Sequence, residues 1–195
     1  VMSLIDYFVL NTYTVNSDWL NWNTAWWRGR RPGQEVKWRY RLWDQDNTFD
    51  LGENFTGLPE TDNTADPCDV QGLSQYANTN DPHEGHVRIF NKLMTNPGFK
   101  QMYVNRYADL INTAFYCPNM LAHWDTMIQR LQPEMQRQCT RWSGSYNTWM
   151  QHVNYTRSQI SGRCNNVQTG LGPCYQLTGP YPVKLNVSPA CAGTV

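Results

Sequence analysis

The chain has 195 residues with 16 basic and 16 acidic side chains, no formal net charge, and only 16% charged residues. That balance offers no field toward nucleic acid or an anionic membrane, and the length suits one domain, or one domain and the start of another. Nine Trp and eleven Tyr are many for this length, yet no stretch approaches the roughly 20 apolar residues that span a bilayer.

Leu4, Ile5, Phe8, Val9 and Tyr13 fall at helical spacing and predict an amphipathic helix over 3–14, with Ser3 as cap and Asp6 three residues on. Asn16-Ser17-Asp18 breaks that helix and opens a loop that carries Asp18 and Asn23. Residues 24–28 and 37–43 read as two strands around a turn at 29–35. In the second, Trp38, Tyr40 and Leu42 alternate with Lys37, Arg39 and Arg41, the pattern of a half-buried strand. The Trp cluster (19, 22, 26, 27, 38 and 43) is therefore expected to fill a core or wall a site. Residues 47–83 lack periodicity, which suits either a substrate-recognising segment or a surface excursion tied down by Cys68.

From 84 onward the pattern is helical. Helices are expected over 84–95, from Pro97 to about Tyr116, from an Asn119 cap through Leu131, briefly from Pro133, and over 145–168. Past Gly170-Leu171-Gly172-Pro173, the alternating runs 174–178 and 183–187 predict the start of a β-type module at 173–195. His83 and His86 flank Glu84, but no third ligand stands at fixed spacing, so they read as loop and helix-start residues.

Chemistry gathers in the first fifty residues. Asp18, Asn23 five positions later, and the pair Asp44 and Asp46 after the hairpin have the spacing of a phosphoryl-transfer site. In such sites one Asp takes the proton of the attacking hydroxyl, and the Asn and a second Asp hold magnesium against the nucleotide phosphates. Taken alone, Asn-Ser-Asp is also an ordinary turn. Six cysteines (68, 117, 139, 164, 174 and 191) form no Cys-x-x-Cys pair, which excludes a finger-type zinc site. They fit disulfides of an exported protein or reduced core thiols, with 15 pairings open. No signal peptide is readable at residues 1–10, so an exported fragment is expected.

The run Leu4-Ile5-Asp6-Tyr7-Phe8, then Asn16-x-Asp18-Trp19 with Asn23, then Trp38-Arg39-Tyr40 leading to Leu42-Trp43-Asp44-x-Asp46-x-x-Phe49 resembles the CotH family of secreted or spore-coat atypical protein kinases. Ile89 to Met94 and Asn105-Arg106-Tyr107-x-Asp109-Leu110 are similar to its later helices, and the resemblance runs over roughly 1–170. It implies an α+β, mainly helical kinase-like C-lobe over 1–172, with a small β-hairpin at the metal site. It also implies transfer of the ATP γ-phosphoryl group to protein Ser or Thr, with Mg2+ or Mn2+ as cofactor. Asp18 would be the catalytic Asp; Asn23 and Asp44 would bind metal and nucleotide, with Asp46 a second metal ligand. The implied partners are a nucleotide and a protein substrate, at a bacterial cell surface or outside the cell. One departure is Asp50, where the family has Gly after the Phe. A kinase also needs a phosphate-covering loop and a Lys–Glu pair ahead of its catalytic loop. Only seventeen residues precede Asp18, so the chain is expected to be a C-lobe without its N-lobe. The alternative is a non-catalytic exported surface module that binds a glycan or protein and keeps a relic acidic site.

Overall fold

The computed structural model describes residues 1–19, 23–33, 36–68, 85–179, 181 and 188. Its centre is α1 (Met2–Tyr13), of which eight residues are buried, so the helix is enclosed rather than laid on a surface. Around it pack Val87 and Phe90 of α2 (Gly85–Met94), Tyr103 and Tyr107 of α3 (Pro97–Ile111), and Val167 and Leu171 of α5 (Tyr146–Tyr175). Phe8 stacks on Phe90 at 4.3 Å, and Tyr13 on Phe115 at 4.3 Å. The two buried polar residues of α1 find partners within the helix: Asn11 Nδ2 donates to Tyr7 O at 2.8 Å and Thr12 Oγ1 to Phe8 O at 2.7 Å.

The Ser3 cap is not formed. The helix begins at Val1 without a side-chain cap, and Ser3 Oγ instead accepts the Tyr40 N–H at 2.8 Å. That bond seats a two-stranded antiparallel ribbon of β1 (Ala25–Trp27) and β2 (Arg39–Arg41), in which Trp26 faces Tyr40. Tyr40 packs on Tyr7 at 4.8 Å, but Trp26, Trp27, Trp38 and Trp43 are each at least half exposed (50–65%). Trp19 alone of the predicted cluster is buried, at 1% exposure, and Trp22 lies outside the described residues. Among the described residues a ribbon of three-residue strands meets little more than α1 and His86 of α2, too little cover for alternation to produce burial. The outer rings hold cations instead, Arg28 over Trp38 at 5.1 Å and Arg41 over Trp43 at 5.7 Å.

His86 joins the ribbon to α2. Its Nδ1 meets Tyr40 Oη at 3.0 Å and its ring lies 4.9 Å from Trp26. Burial lowers its pKa below the ordinary 6.5, so on acidification the unfolded chain takes the proton first. Stability from this contact is therefore complete above about pH 6.5 and declines as pH falls through the folded-state value. Thermal melts between pH 7.5 and 5.5 should show a falling midpoint, with a shallower slope in His86→Phe.

α4 (Cys117–Arg141) and α5 form a hairpin across residues 142–145, a link short enough to force antiparallel neighbours. Asp125 and Arg157 pair through two bonds of 2.8 and 2.9 Å, Gln132 meets Tyr146 at 2.9 Å, and Cys117 is bonded to Cys164. The two helices expected at 119–131 and from Pro133 are thus one, with Tyr116 rather than Asn119 at its N-cap and Pro118 in its first turn. Pro133 removes a single N–H, and Gln129, whose carbonyl loses it, is exposed where water can serve.

The strand expected from Cys174 is also absent. α5 continues through Tyr175, closes at Gln176 in the left-handed region (φ 57°), and Leu177 N–H returns to Gly172 O at 2.9 Å. Helix persists there because Leu171 is buried in the core, Tyr175 packs on Tyr103, and Cys174 is bonded to Cys68. Most of the predicted β module (180, 182–187 and 189–195) lies outside the described residues, as do 69–84 and Cys191. Among the described residues Cys139 is a free, buried cysteine, and no helix is long and apolar enough to cross a membrane.

Candidate functional site

The end of α1 sets the first wall of the site. Asn16 N–H returns to Asn11 O at 3.0 Å, and Asn16 Oδ1 accepts the Asp18 N–H at 2.9 Å. The chain turns through Val15 at φ 50°, a rare conformation for a β-branched residue, held because Val15 is buried against Leu58 and Ala65. Asp18 thus leaves α1 in a fixed direction, and its Oδ2 accepts Asn23 Nδ2 at 2.8 Å. Asn23 Nδ2 also reaches the Asp18 carbonyl at 3.0 Å. The spacing of five brings the pair together as the sequence suggests.

The hairpin returns Asp44 to the same place. Asp18, Asn23, Asp44 and Phe55 line one open cleft of ≈ 340 Å³. Asn23 and Asp44 both sit at φ 49°, a backbone that Asn and Asp tolerate better than other side-chain-bearing residues. A hydrogen bond from Asp46 holds the Asp44 carboxyl above its ordinary range, and the like charges of Asp46 and then Asp18, with some burial, push the same way. Neighbouring carboxylates offer hard oxygens, and a divalent cation relieves their mutual repulsion. Asp44 and the Asn23 amide offer, on the cleft, hard-oxygen donors of the kind that Mg2+ or Mn2+ takes, while Asp46 is not among the residues that line it. A magnesium site completed by nucleotide phosphates needs only one or two carboxylates, not a full protein cage.

The described residues with three ligand atoms within 4.8 Å of one another are Asp66, Cys68 and Cys174. Their two sulfurs are joined as a disulfide, which removes the thiolates that a metal would need. His86 is engaged by Tyr40, and His83 lies outside the described residues.

Asn47, which the motif reading passes over, locks the two walls together. It is 7% exposed; its carbonyl accepts Ser17 N–H at 2.9 Å, its Nδ2 approaches Asp18 Oδ2 at 3.4 Å, and its Oδ1 accepts Glu53 N–H at 3.0 Å. Gly52, at φ +95°, lies so close that a Cβ there would overlap Asn47 Oδ1. Gly52→Ala is expected to cost about 2 kcal/mol, from the strained φ and the displaced amide together. Because Asn47 touches Asp18, the same change should lower any activity of the site at least tenfold. Urea unfolding and an activity assay on one preparation check both halves.

Asp50, standing where Gly is usual, is accommodated by partners. At φ 61° its carboxylate accepts the hydroxyls of Thr61 and Tyr155, and Phe49 N–H bonds Thr14 O at 2.8 Å. The turn after Phe49 is therefore held to α5 by a side chain. A polar residue able to adopt the left-handed region is the only hint of this that the sequence carries.

A family model described as CotH kinase protein matches residues 1–167. No curated protein and no solved structure matches the chain.

Proposed function

The chain belongs to the CotH kinase family, and from that premise we propose that it carries the base-and-metal half of a phosphotransfer site acting on protein Ser or Thr. The observation that carries the reading is the meeting of Asp18, Asn23 and Asp44 on one cleft from two separate segments, with Asn23 holding Asp18 Oδ2. Asp18 is the base that takes the acceptor hydroxyl's proton, and its side chain is oriented for that by Asn23 and Asn47. Asn23, Asp44 and Asp46 hold Mg2+ or Mn2+, which supplies charge for the phosphates of ATP. Two disulfides, Cys68–Cys174 and Cys117–Cys164, suit an oxidising compartment, so the protein is assigned to the cell surface or beyond it.

The test is transfer of label from γ-labelled ATP by the intact protein to a general acceptor such as casein. Label on Ser or Thr, dependent on Mg2+ or Mn2+, is the expected result. Metal-dependent ATP binding without transfer to any acceptor would remove the catalytic half of the proposal.

One observation favours a second reading. Trp26, Trp27, Trp38 and Trp43 stand exposed on the ribbon, as stacking platforms of a glycan-binding module would. Saturable binding on a glycan array, lost in Trp38→Ala and indifferent to ATP, is its signature.

A further inference from the structure

The neutral total of the chain conceals a local excess. Six of the sixteen basic residues lie within 28–41, against one of the sixteen acidic residues, Glu35. This stretch therefore carries five net positive charges, and the rest of the chain five net negative ones. It forms the outer part of the β1–β2 ribbon, where Arg28, Arg30, Arg31, Lys37 and Arg41 are all exposed. Large apolar side chains are interleaved with them, since Trp27, Val36, Trp38, Leu42 and Trp43 also stand exposed. Trp26 and Tyr40 pair on the face turned to Tyr7 and His86, so alternation puts Trp27 and Arg41 on the opposite one. Exposed apolar residues scattered singly need no explanation, whereas a cluster rimmed by charge marks a contact surface.

We propose that this ribbon is a peripheral membrane-docking surface, whose partner is the headgroup layer of an anionic phospholipid bilayer. Charge complementarity calls for an anionic partner, and the apolar residues choose among anionic partners. Tryptophan is favoured at membrane–water interfaces, where its ring is buried and its N–H stays wet. Val36 and Leu42 offer no flat face to a sugar or a base, but both gain by entering the boundary of the acyl chains. Arginine suits this layer better than lysine because it is more weakly hydrated and grips phosphate with a planar fork. Two of the arginines already lie on rings, Arg28 over Trp38 and Arg41 over Trp43, so cation and ring enter the headgroup layer together. The net negative charge of the rest of the chain is repelled by the same bilayer, which fixes the direction the molecule faces. Attachment of this kind lies on the surface and is reversible.

The test is flotation of the intact protein with vesicles of phosphatidylcholine, either alone or with about 30% phosphatidylglycerol to supply the negative surface. The expected result is binding about tenfold tighter to the anionic vesicles, lost as salt is raised from about 0.05 to 0.5 M. Each arginine near an anionic surface is worth about fivefold in affinity, so Arg30→Gln combined with Arg31→Gln should weaken binding about tenfold or more. Trp27→Ala, at an exposed ring, should weaken it about threefold. Arg130→Gln combined with Arg137→Gln, the same loss of charge from exposed residues of α4, should leave it within about twofold of wild type. Equal binding to both kinds of vesicle, or anionic binding that survives the change at Arg30 and Arg31, would overturn the proposal. Tight binding to soluble heparin without flotation would also overturn it and hand the ribbon to an anionic glycan. Flotation is read without ATP or added metal, so it succeeds or fails independently of the phosphotransfer reading.

Discussion

Arg163→Ala should lower the free energy of unfolding by about 3 kcal/mol, one of the largest losses available to a single substitution in this chain. Arg163 is fully buried on α5, and no carboxylate pairs with it among its hydrogen-bond partners. Its Nε donates to Tyr13 O at 2.9 Å, one terminal nitrogen donates to Thr12 O at 3.0 Å, and the other donates to Ala65 O and to Asn166 Oδ1, the latter at 3.1 Å. Thr12 and Tyr13 are the last residues of α1, whose free carbonyls and negative dipole end are what a guanidinium satisfies. Deletion takes the guanidinium from the carbonyls of Tyr13 and Ala65, at roughly 1–3 kcal/mol each, and leaves Thr12 O only the longer bond from Val15 N–H at 3.4 Å, offset by release of the cation from a poorly hydrated interior. For a domain of this size the melting midpoint should fall by about 10 °C. Arg163→Lys should recover little, because one ammonium cannot present the fork that reaches three separate carbonyls. A loss under about 1 kcal/mol in denaturant titration would mean that α1 is held from elsewhere.

The second large effect is chemical. Asp18→Asn should reduce phosphoryl transfer about 10²–10⁴-fold, the usual contribution of a positioned base. The fold should survive it. An Asn amide oxygen can still accept from Asn23 Nδ2, and the backbone bond from Asp18 N–H to Asn16 Oδ1 is untouched. The informative split is therefore an unchanged melting midpoint beside a collapsed rate with nucleotide affinity kept. Full activity in Asp18→Asn would remove Asp18 from the chemistry.

These two predictions stand on opposite sides of what a sequence discloses. Asp18, Asn23 and Asp44 could be read together because local rules join them: an Asx turn follows a helix, and a hairpin returns the chain to its start. Asn47 and Arg163 act across 29 and 150 residues, and nothing periodic marks them. The exposed tryptophans miscarried for a related reason. Alternation says which side chains share a face, and whether anything covers that face depends on the rest of the molecule. Pro133 reads as the start of a new helix and Gly170-Leu171-Gly172-Pro173 as the end of one, yet both prolines lie within helices, where packing along the rest of each helix outweighs one lost bond. The buried face of α1 was legible in Leu4, Ile5, Phe8, Val9 and Tyr13, whereas the burial of eight of its residues depends on three helices that come much later in the chain.

The measurement that bears most directly on the central claim is calorimetric titration of ATP into the intact protein, with Mg2+ or Mn2+ and with EDTA, for wild type, Asp44→Ala and Asp109→Ala. Asp109 is exposed on α3, away from the cleft residues, and serves as the control. If the cleft holds nucleotide through metal, wild type and Asp109→Ala bind ATP alike, EDTA abolishes binding, and Asp44→Ala weakens it at least tenfold. Metal-independent binding, or Asp44→Ala binding as tightly as wild type, would contradict the account.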